Sequence, residues 1–273
     1  MATPSTLLAA AVQWAPGADP AANRAEVARL VAEAAQRGAR LIVLPEYSQA
    51  FDADMAALAP TIAEPLDGPF VVTLQESAAA ASAVVVAGMV ERLDDDADGT
   101  PRVANTVVAV DGERVLAAYR KVHLYDAFGA RESDWLTPGD PAQRPVIDVD
   151  GHAIGLQTCY DVRFPEQSRL LVDAGADVLA VPAEWVRGPL KEHHWVTLVT
   201  ARAIESTVHV IAADHAPPIG AGRSLIVDPM GVALAQLGEA EGIAVAPIDA
   251  ARTASVRERN PSLANRRHRV VGG

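Results

Sequence analysis

The chain has one cysteine, no long apolar run and no excess of positive charge. A single thiol, Cys159, among 273 residues forms no intramolecular disulfide and gives no sign of an oxidising compartment. No window approaches the roughly 20 apolar residues that cross a bilayer. The start, MATPSTLLAAAVQWAPGADP, lacks a basic leader, and its apolar run from Leu7 to Val12 passes too soon into Gln13 to be a signal core. Cytoplasmic residence is the expectation. With 23 basic against 35 acidic residues the net charge is −12. An average surface field of that sign repels phosphate backbones and anionic lipids, so neither nucleic acid nor a membrane is an expected partner.

Cofactor signatures are missing too. There is no phosphate-binding G-x-x-x-x-G-K-[ST] loop, no G-x-G-x-x-G after a strand and no cluster of His and Cys ligands, so neither a nucleotide cofactor nor a catalytic metal is expected. DDDADG at 94–99 has the alternating carboxylates and sixth-place glycine of a calcium loop. Its twelfth place, however, is Asn105 rather than glutamate, and strands flank it; a solvated turn is the better reading. KEHHW, from Lys191 to Trp195, pairs two histidines without the one-turn spacing a zinc site needs.

What is present is a chain 50% hydrophobic and long enough for a large core. Apolar strand candidates lie at Leu7–Trp14, 41–46, 83–90, 103–110, 114–121, 152–158, 177–183, 208–214, 224–228, 232–237 and 242–249, the last three read as hairpin-like. Helical spacing appears at 20–38, 70–81, from Pro165, and at 190–206. No Gly/Ser/Pro-rich linker interrupts the series, so one domain over 1–273 is expected. That many buried strands exceed one small sheet; two packed sheets with helices outside, an α/β fold, would cover them.

Three reactive side chains stand at the exits of apolar strands. Cys159 lies in GLQTCYDVRFPE, where a buried strand runs into a polar turn before a helix that Pro165 could open. An isolated cysteine is commonly a small buried apolar residue, yet such a junction can also lift a nucleophile out of a sheet. Position alone leaves both readings open. Glu46 in LIVLPEYS and Lys121 in YRKVHLYD could each be a solvated surface charge. If their strands are parallel neighbours, all three converge on one pocket. The glutamate could then take the thiol proton, the lysine could steady an oxyanion, and the thiol could carry an acyl group.

The ordered set LPEYS, YRKVHLYD, CYDVRFPE and GRSLIVDPMG resembles the nitrilase (carbon-nitrogen hydrolase) superfamily over nearly the whole chain. The resemblance implies a four-layer αββα sandwich of two mixed sheets, with Glu46 as general base, Lys121 as oxyanion-stabilising lysine and Cys159 as nucleophile. Glu132 in FGARESDWLTPGD matches a second glutamate that positions the lysine and the amide. The Tyr160 N–H would complete the oxyanion hole. A homodimer is implied, with the arginine-rich tail from about 257 to 273 at the interface. The implied reaction releases ammonia and a carboxylic acid from a small-molecule amide through a thioester, and Glu46, switching between acid and base, should have a raised pKa.

CYDVRFPE, the short loop before Trp195 and TARAIEST look closest to the branch of omega-amidase and deaminated glutathione amidase. The chain departs from that branch at Glu184 and Trp185, expected to line the substrate pocket with a carboxylate near its mouth; a cationic or amine-bearing substrate then becomes possible. The loop from Ala216 to Gly222 is the other expected determinant of specificity. A nitrilase or an N-carbamoyl amino acid hydrolase would use the same residues. An inactive interaction protein on the same fold is the alternative of another class.

Overall fold

The computed structural model describes residues 6–96, 99 and 102–270. In chain order these form β1 (Thr6–Gln13), α1 (Pro20–Gln36), β2 (Leu41–Val43), α2 (Met55–Ile62), α3 (Pro69–Ala81), β3 (Val84–Arg92), β4 (Val103–Val110), β5 (Val115–Arg120), β6 (Val146–Val149), β7 (His152–Leu156), α4 (Pro165–Asp173), β8 (Val178–Ala183), α5 (Lys191–Ser206), β9 (His209–Asp214), β10 (Leu225–Val227), β11 (Ala233–Gln236), β12 (Gly242–Asp249) and α6 (Ala250–Arg259). Single 3-10 turns occupy Glu132–Asp134 and Cys159–Arg163.

The strands make two six-stranded mixed sheets, ordered β12-β1-β2-β3-β4-β5 and β11-β10-β9-β8-β7-β6. Within the first, β1, β2 and β3 are parallel; within the second, β7, β8 and β9 are. The remaining pairings are antiparallel. Both faces of the parallel strands β1, β2, β3, β7, β8 and β9 are covered, which is why they read as continuous apolar runs rather than alternating ones. Successive side chains still point to opposite faces. Leu7, Ala9 and Ala11 of β1 meet Ile154, Leu156, Val178 and Ala180 of the other sheet in the central layer. Ala10 and Val12 face the other way, onto Val27 and Leu30 of α1 and Phe70 and Leu74 of α3. Trp195, Val199 and Ala203 of α5 and Leu171 of α4 cover the second sheet. The layers are therefore helices, sheet, sheet, helices.

Local chemistry sets the element ends. Asp19 caps α1 by accepting from the Ala21 N–H at 2.9 Å, with Pro20 as its first helical residue. Three expectations need correction. Residues 242–249 do not continue the terminal hairpin: β12 crosses to the first sheet and pairs with β1. Short β6 and α2 escaped notice; α2 carries Pro60 in its interior, which breaks the periodic signal. Residues 250–259 form helix α6, so the presumed tail begins inside a helix whose Val256 is buried. Arg257 donates to the Thr207 carbonyl and Arg266 pairs with Asp173, both within the chain. The acidic turn at 94–99 lies partly outside the described residues, as do the first five and last three positions of the chain.

Candidate active site

Glu46 follows β2 by three residues, through Leu44 and Pro45, and is 1% exposed. The turn crosses β3 where Gly88 leaves room: a Cβ there would stand 2.6 Å from the Glu46 Cα and 2.7 Å from the Tyr47 nitrogen. The Glu46 carboxylate is saturated with donors. Oε1 accepts from Lys121 Nζ at 3.0 Å and Asn105 Nδ2 at 2.6 Å, and Oε2 accepts from the Glu184 N–H at 2.7 Å. Its carbonyl oxygen lies 2.6 Å from His215 Nε2.

Lys121 follows β5 and is as buried as Glu46. Its ammonium lies 3.0 Å from Glu46 Oε1 and 2.9 Å from Glu132 Oε2. Burial alone would lower its pKa, but the carboxylates of Glu132 and Glu46 outweigh that and hold it well above the usual lysine value. Glu132 opens its 3-10 turn and is fixed in place by the Tyr47 hydroxyl at 2.9 Å and the Tyr125 N–H at 2.7 Å.

Cys159 comes three residues after β7, with φ of 42°, a left-handed conformation that a side chain with a Cβ adopts only when its surroundings impose it. Asp161 imposes it. Asp161 Oδ2 accepts from the Thr158 N–H at 3.0 Å and from the Tyr119 hydroxyl at 2.8 Å, while Oδ1 meets His123 Nδ1 at 2.8 Å. The thiol donates to the Glu184 carbonyl at 3.4 Å. Burial and the neighbouring Glu46 push the thiol pKa well up, with Lys121 opposing them. The resting group is a protonated thiol, which needs a base before it can attack.

A narrow pocket joins these residues, lined by Glu46, Lys121, Tyr125, Glu132, Cys159, Tyr160, Glu184, Trp185, Val186 and Lys191. The structure thus brings together the expected residues Glu46, Lys121, Glu132, Cys159, Tyr160, Glu184 and Trp185, while the loop from Ala216 to Gly222 does not line this pocket and reaches only the adjoining cavity, through Ile219. It does so differently from expected. Their strands are not parallel neighbours in one sheet: Glu46 comes from the first, Cys159 and Glu184 from the second, and Lys121 follows the antiparallel edge strand β5. Glu184 is buried, lines both this pocket and the wider cavity beside it, and its main chain touches both base and nucleophile. The Trp185 ring is mostly core, packed on Trp195, with Nε1 donating to the Lys191 carbonyl at 2.8 Å.

Sequence reasoning missed Asn105, Tyr47, Tyr125 and Lys191. Asn105 had a signal, as a polar residue inside the buried run VANTVVAV. Lys191 had none; it looked like part of a histidine cluster. Among the described residues, no group of three or more His, Cys, Asp or Glu side chains is arranged to hold a metal.

Two facing mixed sheets, outer helices and a cysteine elbow opposite a Glu-Lys-Glu cluster define the αββα sandwich of the nitrilase superfamily. The carbon-nitrogen hydrolase family model matches residues 8–258, and the chain belongs to that family of enzymes. It is 38% identical over 262 residues to deaminated glutathione amidase of Escherichia coli O157:H7, covering 96% of this chain and 97% of the relative. The rat protein of the same name is 36% identical over 260 residues, covering 90% and 77%. Among solved structures, a CN-hydrolase superfamily protein from Xanthomonas campestris aligns with a TM-score of 0.84 at 27% identity, covering 98% of this chain and all of that one.

Proposed function

We propose that this chain is a thiol amidase that hydrolyses the terminal amide of a small omega-amido acid, as the omega-amidase and deaminated glutathione amidase branch does, with residues 1–273 acting as one catalytic unit. The observation that carries the reading is the buried Lys121 ammonium held between two carboxylates in the pocket that contains the Cys159 thiol. A cation so fixed is pre-organised for charge that develops on the substrate oxygen, without reorientation at the moment of reaction.

Glu46 takes the thiol proton as sulfur bonds to the amide carbon. The carbonyl electron pair moves to oxygen, which faces Lys121 and the Tyr160 N–H. As the C–N bond breaks, Glu46 returns the proton to nitrogen and ammonia leaves, giving a thioester. Glu46 then takes a proton from water as the hydroxide attacks the thioester carbon. Collapse of that second tetrahedral adduct expels the sulfur, which recovers its proton from Glu46, and frees the carboxylic acid. Glu132 holds Lys121 in position through both steps.

Cys159→Ala should abolish ammonia release from omega-amido acids while the circular dichroism spectrum stays that of the wild type; undiminished turnover in this variant would sink the mechanism. A homodimer forms part of the proposal. Ile204 on α5 and Met230, Val232 and Leu234 around the β10–β11 turn are exposed apolar side chains, and Ile204 lies against Gly231 of that turn. Sedimentation at micromolar concentration should give twice the chain mass of 28.6 kDa. A monomer at all concentrations would remove this part.

A further inference from the structure

Ammonia is the first product of the reaction scheme, and it forms while the acyl group is still on sulfur. Ammonia that lingers there reforms the amide, so it has to leave before water attacks. Two further cavities adjoin the pocket, and Tyr125 and Val186 line all three spaces.

The two cavities differ in charge. One shares Lys191 with the pocket and adds Arg187, with no acidic residue in its lining. Arg187 is ion-paired to Glu239 at 3.0 Å. Lys191 Nζ is held by the Tyr125 hydroxyl at 2.9 Å and by the faces of Phe128 and Trp185, which leave its charge uncancelled. The other, wider cavity shares Glu132 and Glu184 with the pocket and adds Asp52, Asp54 and Asp134. Asp134 is paired to Arg131 at 3.5 Å. Asp52 and Asp54 have no ion pair among the described residues; Asp52 accepts the Asp54 N–H at 2.9 Å and Asp54 accepts the Ala57 N–H at 3.2 Å. Phe51 and Trp135 line the same cavity. Carboxylates and aromatic faces together suit a small cation.

Glu184 stands where the pocket and the wider cavity meet. The reaction scheme uses its main chain and leaves its side chain without a task. That side chain is 9% exposed, and its Oε1 is buried with no hydrogen-bond partner. A bare buried acceptor costs free energy until a donor reaches it, and ammonium brings four N–H donors. The pocket itself sets one ammonium, that of Lys121, between the two carboxylates of Glu46 and Glu132, so its formal charge does not expel a second cation.

We propose that the wider cavity is an ammonium-binding exit, in which the product nitrogen passes the unpartnered oxygen of Glu184 and is held as a cation by Asp52 and Asp54 on its way to solvent. This rests on the amidase reading above and adds a separate cation site to it. Protonation removes the lone pair that attacks the thioester, so holding the product as ammonium prevents reversal. The proton balance closes. Glu46 returns the thiol proton to nitrogen, and the carboxylic acid formed in the second step gives up the proton that turns ammonia into ammonium. Amide and water therefore give carboxylate and ammonium. The Lys191 side repels the same cation.

The test is capture of the thioester by isotope-labelled ammonium during hydrolysis of any omega-amido acid the enzyme accepts, at constant ionic strength. In wild type the ratio of labelled amide to acid should level off as ammonium rises, because a site outside the attack position fills while water still reacts. Asp52→Asn with Asp54→Asn should raise the half-saturating ammonium concentration about 3- to 10-fold. Glu184→Gln, which keeps the shape and cannot carry the charge, should raise it at least as much. Hydroxylamine, uncharged near neutral pH, should show a shift of less than about twofold in the same variants, since the site reads charge. A straight-line dependence on ammonium in wild type would overturn the proposal, as would an unchanged half-saturation in the folded aspartate pair. Equal shifts for ammonium and hydroxylamine would overturn it too, by making the effect one of shape. If Glu184→Gln does not fold, the aspartate pair decides alone, because both side chains are exposed and asparagine accepts the same N–H groups. Straight-line capture with amide hydrolysis intact sinks this inference and leaves the amidase reading standing; full activity in Cys159→Ala would sink both.

Discussion

The two sheets are built to the same plan. Taken from β12 to β5 and from β6 to β11, each runs antiparallel, parallel, parallel, antiparallel, antiparallel. On that plan β2 corresponds to β8, and each is followed by a glutamate that reaches the shared pocket, Glu46 from one sheet and Glu184 from the other. Their surroundings differ completely. Glu46 has three donors on its two oxygens and an ion pair to Lys121, whereas Glu184 has an orphaned oxygen and a pKa driven up by burial. Equivalent places in a repeated scaffold therefore yield one carboxyl group saturated with donors and one with a buried, unpartnered oxygen. The partners supplied by neighbouring strands decide which is which.

The contrast breaks most severely if the first sheet loses its cation. Lys121→Met leaves the buried Glu46 and the partly buried Glu132 with no ammonium between them. We expect a loss of about 3–5 kcal/mol in urea denaturation and a fall in kcat of about 10³-fold. A variant as stable as the wild type would mean that the two carboxylates do not depend on Lys121.

The sheets are also tied through His215, which follows β9 and places Nε2 against the Glu46 carbonyl. Burial lowers its pKa from 6.5 to about 4. Between those values the unfolded chain takes a proton that the folded chain refuses, so stability falls as pH falls through this window. The expected loss at its acid end is about 3 kcal/mol. Denaturation at pH 7 and pH 4.5 should show a smaller acid penalty in His215→Gln than in the wild type; equal penalties would assign the effect to other groups, such as buried His209.

The smallest expected effect is at the bridge behind the nucleophile. Tyr119 on β5 donates to Asp161 across the sheet interface, and Asp161 holds the turn that carries Cys159. Tyr119→Phe removes that one hydrogen bond and should cost about 1 kcal/mol. Its readout is a lower thermal midpoint together with faster alkylation of Cys159 by iodoacetamide, since a looser turn exposes the thiol. No change in either would make the bridge incidental.

Much of this was legible in the sequence. Continuous apolar runs such as LIV and VLAVPA announce strands covered on both faces, and Pro20, Gly38 and Pro165 mark helix ends by their fixed or permissive φ. The motifs around Glu46, Lys121 and Cys159 could be found because each lies at the end of an apolar run, whereas Glu132 stands in a polar turn and is reached only through the family resemblance. Asn105 and Lys191 were harder, because neither sits at a strand exit and their value lies wholly in what they touch. Strand β12 misled for a related reason: its apolar run is plain, but nothing local says which sheet it joins.

The sequence by itself determined the layers and the positions of the reactive groups, because burial period, turn residues and strand exits are properties of neighbouring residues. Only the tertiary structure decided the chemistry of each group. The Glu46 carboxylate meets the main chain of residue 184 across 138 positions of sequence. Whether a carboxyl group is ion-paired or orphaned, and so charged or neutral, depends on contacts of that range, which no local pattern encodes.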